Sequence, residues 1–209
     1  MKQLEIHVIT DGVQTVKEII KKILMIHEEV DFLHIREKKK SASEVMEIVS
    51  ALLENGVSRD KIIINDRLDV VQLQQLSNIH LPGNSFSIQT VKEFMPSLKI
   101  GRSVHTLEEA IASEKAGADY LMFGHLFATK SKAKLPPRGV ELLEDICRSV
   151  SIPVIAIGGI VPETVSKLSN IKLGGMAIMS YVMASDNPSF ALQQIKESLL
   201  EVEKNEQTL

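Results

Sequence analysis

The sequence predicts an α/β protein of the (β/α)8 TIM-barrel class, built as a single domain over residues 1–209. Eight short runs rich in β-branched and aliphatic residues recur along the chain, and segments of helical apolar period separate them. No Pro- or Ser-rich linker and no shift in composition divides the chain. An open doubly wound sheet and a two-domain arrangement are the alternatives. The short crossovers and the late glycine-rich turns favour closure.

The first strand is expected over Leu4–Ile9 and is followed by a helix over Thr15–His27. Phe32–Arg36 forms the second strand, and the helix Ala42–Glu54 ends at Asn55-Gly56, where glycine relieves a left-handed cap. Lys61–Ile64 and Ile79–Leu81 are the third and fourth strands, with a helix over Ile88–Phe94. The fifth strand, Lys99–Arg102, precedes a helix over Leu107–Ala116 that opens on the Thr106 hydroxyl and an acidic first turn. Tyr120–Gly124 is the sixth strand and Val140–Val150 the next helix. Pro153 stands where a missing N–H is tolerated, at the start of the seventh strand, Val154–Ile157. Met176–Met179 is the eighth strand, and Pro188–Glu203 is a closing helix with Phe190, Leu192, Ile195, Leu199 and Val202 on its apolar positions. Residues 204–209 read as a frayed tail.

The chain carries 24 Lys+Arg against 27 Asp+Glu, a formal net charge of -3, and no basic run is longer than Lys38–Lys40. That balance supplies no surface for nucleic acid or an anionic membrane. The single cysteine, Cys147, can form no intramolecular disulfide, and a reducing compartment fits it. The N-terminus has no signal-peptide pattern, and no apolar stretch reaches membrane-span length. A cytoplasmic location is the expectation.

In a barrel of this kind function sits on the loops after the strands. The second strand ends in His34-Ile35-Arg36-Glu37-Lys38, where a period of two turns His34, Arg36 and Lys38 to one face, suited to an anionic ligand. Lys39 and Lys40 read instead as a solvated face pairing with carboxylates such as Glu37. The third strand ends in Asn65-Asp66-Arg67, where Asp66 could ligate magnesium, cap a helix or pair with Arg67. The loop after the fourth strand, Pro82–Ser85, adds no second carboxylate, which argues against a metal site. Ser103 and His105 follow the fifth strand. His125 opens the longest loop, which also carries Thr129, Ser131 and Lys132, and its imidazole titrates in the right range to move a proton. Gly158-Gly159 after the seventh strand and Met179-Ser180 after the eighth form the usual phosphate site, closed by backbone N–H groups and a helix N-terminus. A tight turn alone is the competing reading of the two glycines. His7, His27 and His80 are left to packing or surface roles.

Taken in order, His34 to Lys38, Asn65-Asp66, Gly101 to His105, Phe123 to Phe127 with Thr129 and Lys132, Ile157 to Ile160, and Met179-Ser180 resemble the thiamine phosphate synthase superfamily over nearly the whole chain. The resemblance implies a (β/α)8 barrel handling thiazole phosphate, with substrate contacts at these positions and a possible homodimer. It has two branches: a synthase joining pyrimidine diphosphate to thiazole phosphate with magnesium, and the TenI branch, a thiazole tautomerase. His34 stands where the synthase pattern has Gln, Pro82–Ser85 where it has Gly-Gln-Glu-Asp, and Gly124-His125 where it has Gly-Pro. These departures resemble TenI. The expectation is therefore an isomerase that aromatises a carboxythiazole phosphate tautomer through His125, without cofactor. The alternatives are the synthase, with magnesium at Asp66, and a non-catalytic thiazole-phosphate-binding regulatory protein.

Overall fold

The structure, a computed structural model, describes residues 4–129 and 136–206. Its eight strands are β1 (Glu5–Ile9), β2 (Phe32–Ile35), β3 (Ile62–Asn65), β4 (Asn78–Leu81), β5 (Lys99–Val104), β6 (Tyr120–Phe123), β7 (Val154–Ile157) and β8 (Gly175–Ile178). All pair in parallel in sequence order, and β8 returns to β1 with Glu5 opposite Gly175 and Val8 opposite Ile178. The result is one closed (β/α)8 barrel.

The helices are α1 (Val16–Leu24), α2 (Ala42–Glu54), α3 (Leu68–Leu73), α4 (Ile88–Phe94), α5 (Leu107–Lys115), α6 (Val140–Ser149), α7 (Pro162–Val165), α8 (Ser180–Met183) and α9 (Pro188–Glu206). Thr15 caps α1 and Ser41 caps α2 through reciprocal bonds with Glu18 and Glu44 three residues on, so local chemistry fixes where each crossover begins. Of the short helices, α3 has six residues and α7 and α8 four each, too few to display a period in sequence. The closing helix runs to Glu206, so 204–206 continue it instead of fraying, in keeping with the helix-forming Glu and Lys there. Residues 207–209 lie outside the described residues. Among the described residues no helix is long and apolar enough to cross a membrane.

Strand alternation sorts the side chains into two cores. Val8, Leu33, Ile62, Ile64, Ile79 and Ile100 point out to the helix ring, where they are buried with Ile19, Ile48 and Leu52. Ile9, Met122, Ile155 and Ala177 point into the barrel. Full burial of each aliphatic side chain stabilises the fold by about 1.5–3 kcal/mol.

The interior is not wholly apolar. His7, His34 and His80 are 2%, 2% and 3% exposed. They correct the expectation that His7 and His80 only pack or face solvent, because a period of two turns both into the barrel. Tyr120 completes the group, with its ring centroid 5.7 Å from that of His80 and 6.5 Å from that of His34. The Tyr120 hydroxyl lies 3.1 Å from His80 Nδ1, and His80 Nε2 lies 2.8 Å from Ser103 Oγ. Gly101 makes room for this arrangement, since a Cβ there would stand 1.9 Å from Tyr120 Cζ. Burial pushes His80 down to about 3, with His7, Arg102 and Arg36 adding to the effect. Burial likewise holds His34 well below the ordinary histidine range, and lifts the Tyr120 phenol.

Two predictions follow from this interior. Gly101→Ala overpacks the phenol, so a loss of about 1–3 kcal/mol is expected, read as a fall in Tm that Tyr120→Leu relieves in the double variant. Second, His34 and His80 are neutral in the fold and protonate when the chain unfolds, so their contribution is fully present above about pH 6.5 and is lost as pH falls through their depressed folded pKa values, about 3 for His80. Urea midpoints taken between neutral and acidic pH should fall, and fall less steeply in His80→Gln.

Candidate active site at the barrel mouth

The C-terminal ends of the strands enclose a cavity of about 940 Å³. Its walls come from nearly every strand end, as expected for a barrel whose function sits on that rim.

On the β2 side the cavity is lined by His34, Arg36 and Lys38, all on the face that alternation predicts. The Arg36 N–H donates to Thr10 Oγ1 (2.8 Å), which fixes the end of β2 against β1. Glu37 points the other way, is buried, and pairs with Lys40 Nζ at 2.7 Å. Lys40 Nζ also donates to the Gln14 carbonyl, so Lys40 ties two loops together instead of standing as part of a solvated face.

Asn65 lines the cavity at the end of β3. Asp66 is next in sequence but outside the lining. It is exposed, has a left-handed backbone (φ 64°), donates its N–H to the His80 carbonyl and accepts from Ser85 Oγ. Arg67 pairs with Asp69 instead of Asp66. Arg102 donates to the Phe86 and Gly83 carbonyls and so holds the loop after β4 in place.

Ser103, His105, Gly124, His125 and Thr129 line the cavity on the β5 and β6 side. His105 Nδ1 donates to the Gly124 carbonyl (2.7 Å), and its backbone N–H donates to Glu109 Oε2. His125 is 5% exposed and follows a cis peptide bond with Gly124. Arg138 returns the loop, with its N–H on the His125 carbonyl and its guanidinium on that of His105. Ser131 and Lys132 lie outside the described residues.

Gly158, Gly159, Met179 and Ser180 line the remaining side. Both glycines have positive φ, 106° and 71°. A Cβ on Gly158 would stand 2.6 Å from His125 Cα, and one on Gly159 would stand 2.7 Å from Phe127 Cβ. The loop after β6 thus lies directly against this turn, with the Leu126 N–H on the Ile157 carbonyl and the Phe127 N–H on that of Gly158. Backbone conformation and close approach both demand glycine here. The helix after strand eight is one short turn, α8, so its exposed first N–H groups matter at this rim more than any macrodipole.

Sequence reasoning missed His80 as part of the site, although it lines the cavity floor. A period of two puts His80 on the same face of β4 as Asn78, but only the register, which sets it opposite Gly101, marks it as part of the site.

A family model described as thiamine monophosphate synthase matches residues 6–182. The thiamine-phosphate synthase of Pyrococcus abyssi is 32% identical over 203 residues, covering 96% of this chain and 97% of that protein. The enzyme of the same name from Pyrococcus furiosus is 34% identical over 171 residues, covering 81% and 83%. A solved thiamine phosphate pyrophosphorylase from Pyrococcus furiosus superposes with a TM-score of 0.80 at 29% identity, covering 95% of this chain and 96% of that one. A 3-hexulose-6-phosphate synthase superposes at 0.75 with 11% identity, a likeness of fold alone.

These relatives are synthases and overturn the expectation of an isomerase that works as a TenI-type tautomerase through His125. The residue at Ser85 does not decide between the two reactions. A magnesium ion that arrives on a diphosphate takes most of its ligands from phosphate oxygens and water and needs only one or two carboxylates. Ser85 in place of an aspartate therefore does not remove such a site, and its hydroxyl orients the Asp66 carboxylate. Matched across most of its length by the family model and by full-length relatives, the chain belongs to the thiamine monophosphate synthase family.

Proposed function

We propose that the protein is a thiamine-phosphate synthase, joining a pyrimidine diphosphate to a thiazole phosphate with release of diphosphate. One observation carries the reading: the cavity has two separate anion-suited rims, divided by β1 on one side of the eight-stranded ring and by β4 to β6 on the other. Gly158-Gly159 and Ser180 follow β7 and β8, while Asn65 ends β3 with Asp66 just outside the lining, and Arg36 and Lys38 follow β2. A barrel with one phosphate-bearing substrate needs only the first rim. Two such substrates meeting head to head need both.

On this reading the thiazole phosphate sits on the β7–β8 rim, held by backbone N–H groups around Gly159 and Ser180 and by the Ser180 hydroxyl. The diphosphate lies toward Arg36, Lys38, Asn65 and Asp66, where charge-assisted hydrogen bonds orient it. The bond between the pyrimidine's methylene carbon and the diphosphate oxygen breaks, the diphosphate leaving with the electron pair. The thiazole nitrogen supplies the pair for the new C–N bond, and no proton need be removed. Holding the two reacting atoms in line is most of what the protein has to do.

The residues present fit a magnesium ion carried on the diphosphate. Asp66 is an exposed carboxylate beside that rim, already hydrogen-bonded by Ser85. Among the described residues no group of three or more His, Cys, Asp or Glu forms a cage, so Asp66 would share the ion with substrate oxygens and water. When bound, magnesium offsets the negative charge gathering on the leaving diphosphate.

The test is formation of thiamine phosphate from the two substrates with magnesium and with chelator. Product is expected with magnesium and lost on chelation, and Asp66→Asn should raise the magnesium requirement. Arg36→Ala and Lys38→Ala each remove a charged hydrogen bond worth about 1.5–3 kcal/mol, so kcat/KM should fall roughly 10- to 100-fold. No product under saturating magnesium would overturn the proposal.

A further inference from the structure

The glycine turn after β7 is braced by a side chain from the helix that follows it. Thr164 is the third residue of α7, and its hydroxyl reaches back over the turn. It accepts from the Val161 N–H at 3.0 Å and lies 3.0 Å from both the Gly159 and the Val161 carbonyl oxygens. A hydroxyl has one proton to donate, so one of the two carbonyls takes it. The Val161 carbonyl already accepts from the Thr164 N–H at 2.9 Å, whereas no other group among the described residues donates to that of Gly159. The hydroxyl proton therefore belongs to Gly159.

That bond has a consequence on the other edge of the same peptide. The Gly159–Ile160 peptide is trans, and in a planar trans peptide the C=O and the N–H point in opposite directions. Holding the Gly159 carbonyl toward α7 turns the Ile160 N–H away from α7. The preceding peptide is fixed from another side. The Gly158 carbonyl accepts from the Phe127 N–H at 2.9 Å, which turns the Gly159 N–H away from the loop after β6. Neither the Gly159 nor the Ile160 N–H makes a hydrogen bond among the described residues, and both residues line the cavity. Successive backbone N–H groups free on one side of a turn make a concavity for an anion.

We propose that Thr164 is a positioning residue for the phosphate-bearing substrate: its hydroxyl aims the Ile160 N–H, beside that of Gly159, at the phosphate oxygens. The identity of the phosphate ester rests on the synthase reading; the aim of the two N–H groups does not. Threonine suits the position because its hydroxyl accepts and donates at once. A glutamate, common at the third position of a helix, could accept from Val161 but would set an oxygen lone pair against the Gly159 carbonyl and a negative charge behind the phosphate. The Val161 N–H is spent on Thr164, so the turn grips the anion and the start of α7 does not.

Titrating nitrogen-labelled protein with inorganic phosphate reads the Gly159 and Ile160 amide signals directly. Both should move in the wild type; signals that stay in place would overturn the proposal. Thr164→Val keeps the shape and removes the hydroxyl. Its Kd for phosphate should rise roughly tenfold, the worth of one charge-assisted hydrogen bond, with the Ile160 shift reduced most, and Thr164→Ser should restore both. Should the valine variant fail to fold, Thr164→Ala serves in its place, because water can then reach the Val161 N–H. A folded variant without the hydroxyl that binds phosphate as the wild type does refutes the role of Thr164. Ser87→Ala removes a comparable cap from α4, where Ser87 accepts from the Thr90 N–H, and should leave phosphate affinity unchanged. An equal loss there would mark the effect as one of stability and overturn the proposal. In turnover, Thr164→Val should raise KM for the thiazole phosphate roughly tenfold and leave that for the pyrimidine diphosphate as it was. Absence of synthase activity would leave the phosphate titration intact, so the two proposals fail separately.

Discussion

Everything at the mouth of this barrel depends on how its interior is filled. Eight parallel strands close on a space about as wide as their inward side chains. Here that space holds three histidines and a tyrosine where aliphatic residues would be usual. Buried polar rings are tolerated only when they are hydrogen-bonded. The missing side chain at Gly101 lets the Tyr120 phenol reach His80, and His80 in turn reaches Ser103 at the cavity wall. One glycine in mid-strand thus sets the position of a hydroxyl two residues further along the same strand. Local packing in the barrel and chemistry at its rim are one problem, solved by the same few side chains.

The sequence made the architecture legible because period and punctuation agreed. The strands were marked by short aliphatic and β-branched runs, and the longer helices by boundary residues such as Asn55-Gly56 after α2 and Thr106 before α5. The short elements were not legible, since four residues of α7 or α8 cannot reveal a repeat. Of the site, the members on strand ends were accessible through alternation, as with His34, Arg36 and Lys38. His80 was missed for a physical reason. A histidine in a β-branched strand reads as packing until the partner strands are known, and only closure of the barrel brings Tyr120 and Ser103 to its two nitrogens. Asp66 was weighed as a possible metal ligand, but its left-handed backbone and its bond from Ser85 depend on the β3–β4 register and could not be foreseen.

The choice between chemistries was harder to read than the fold. Three local departures from a family pattern were given the weight of a change of reaction. An acid–base residue such as His125 in a cavity is compatible with several reactions, whereas two separate anion-suited rims restrict the substrates much more. Residue identity at one position constrains chemistry less than the disposition of charge around the whole ring.

The turn at Gly158-Gly159 and the loop after β6 interlock so closely that neither can be altered alone. The loop's backbone fills the space that any side chain on those glycines would need, and its N–H groups extend the β6–β7 ladder along the turn. Anyone recombining loops between barrels of this family should treat the two as one cassette, transplanting both or neither. A graft of the long loop alone would meet a floor shaped for a different backbone and would shift the glycine rim even though no residue on that rim had been exchanged.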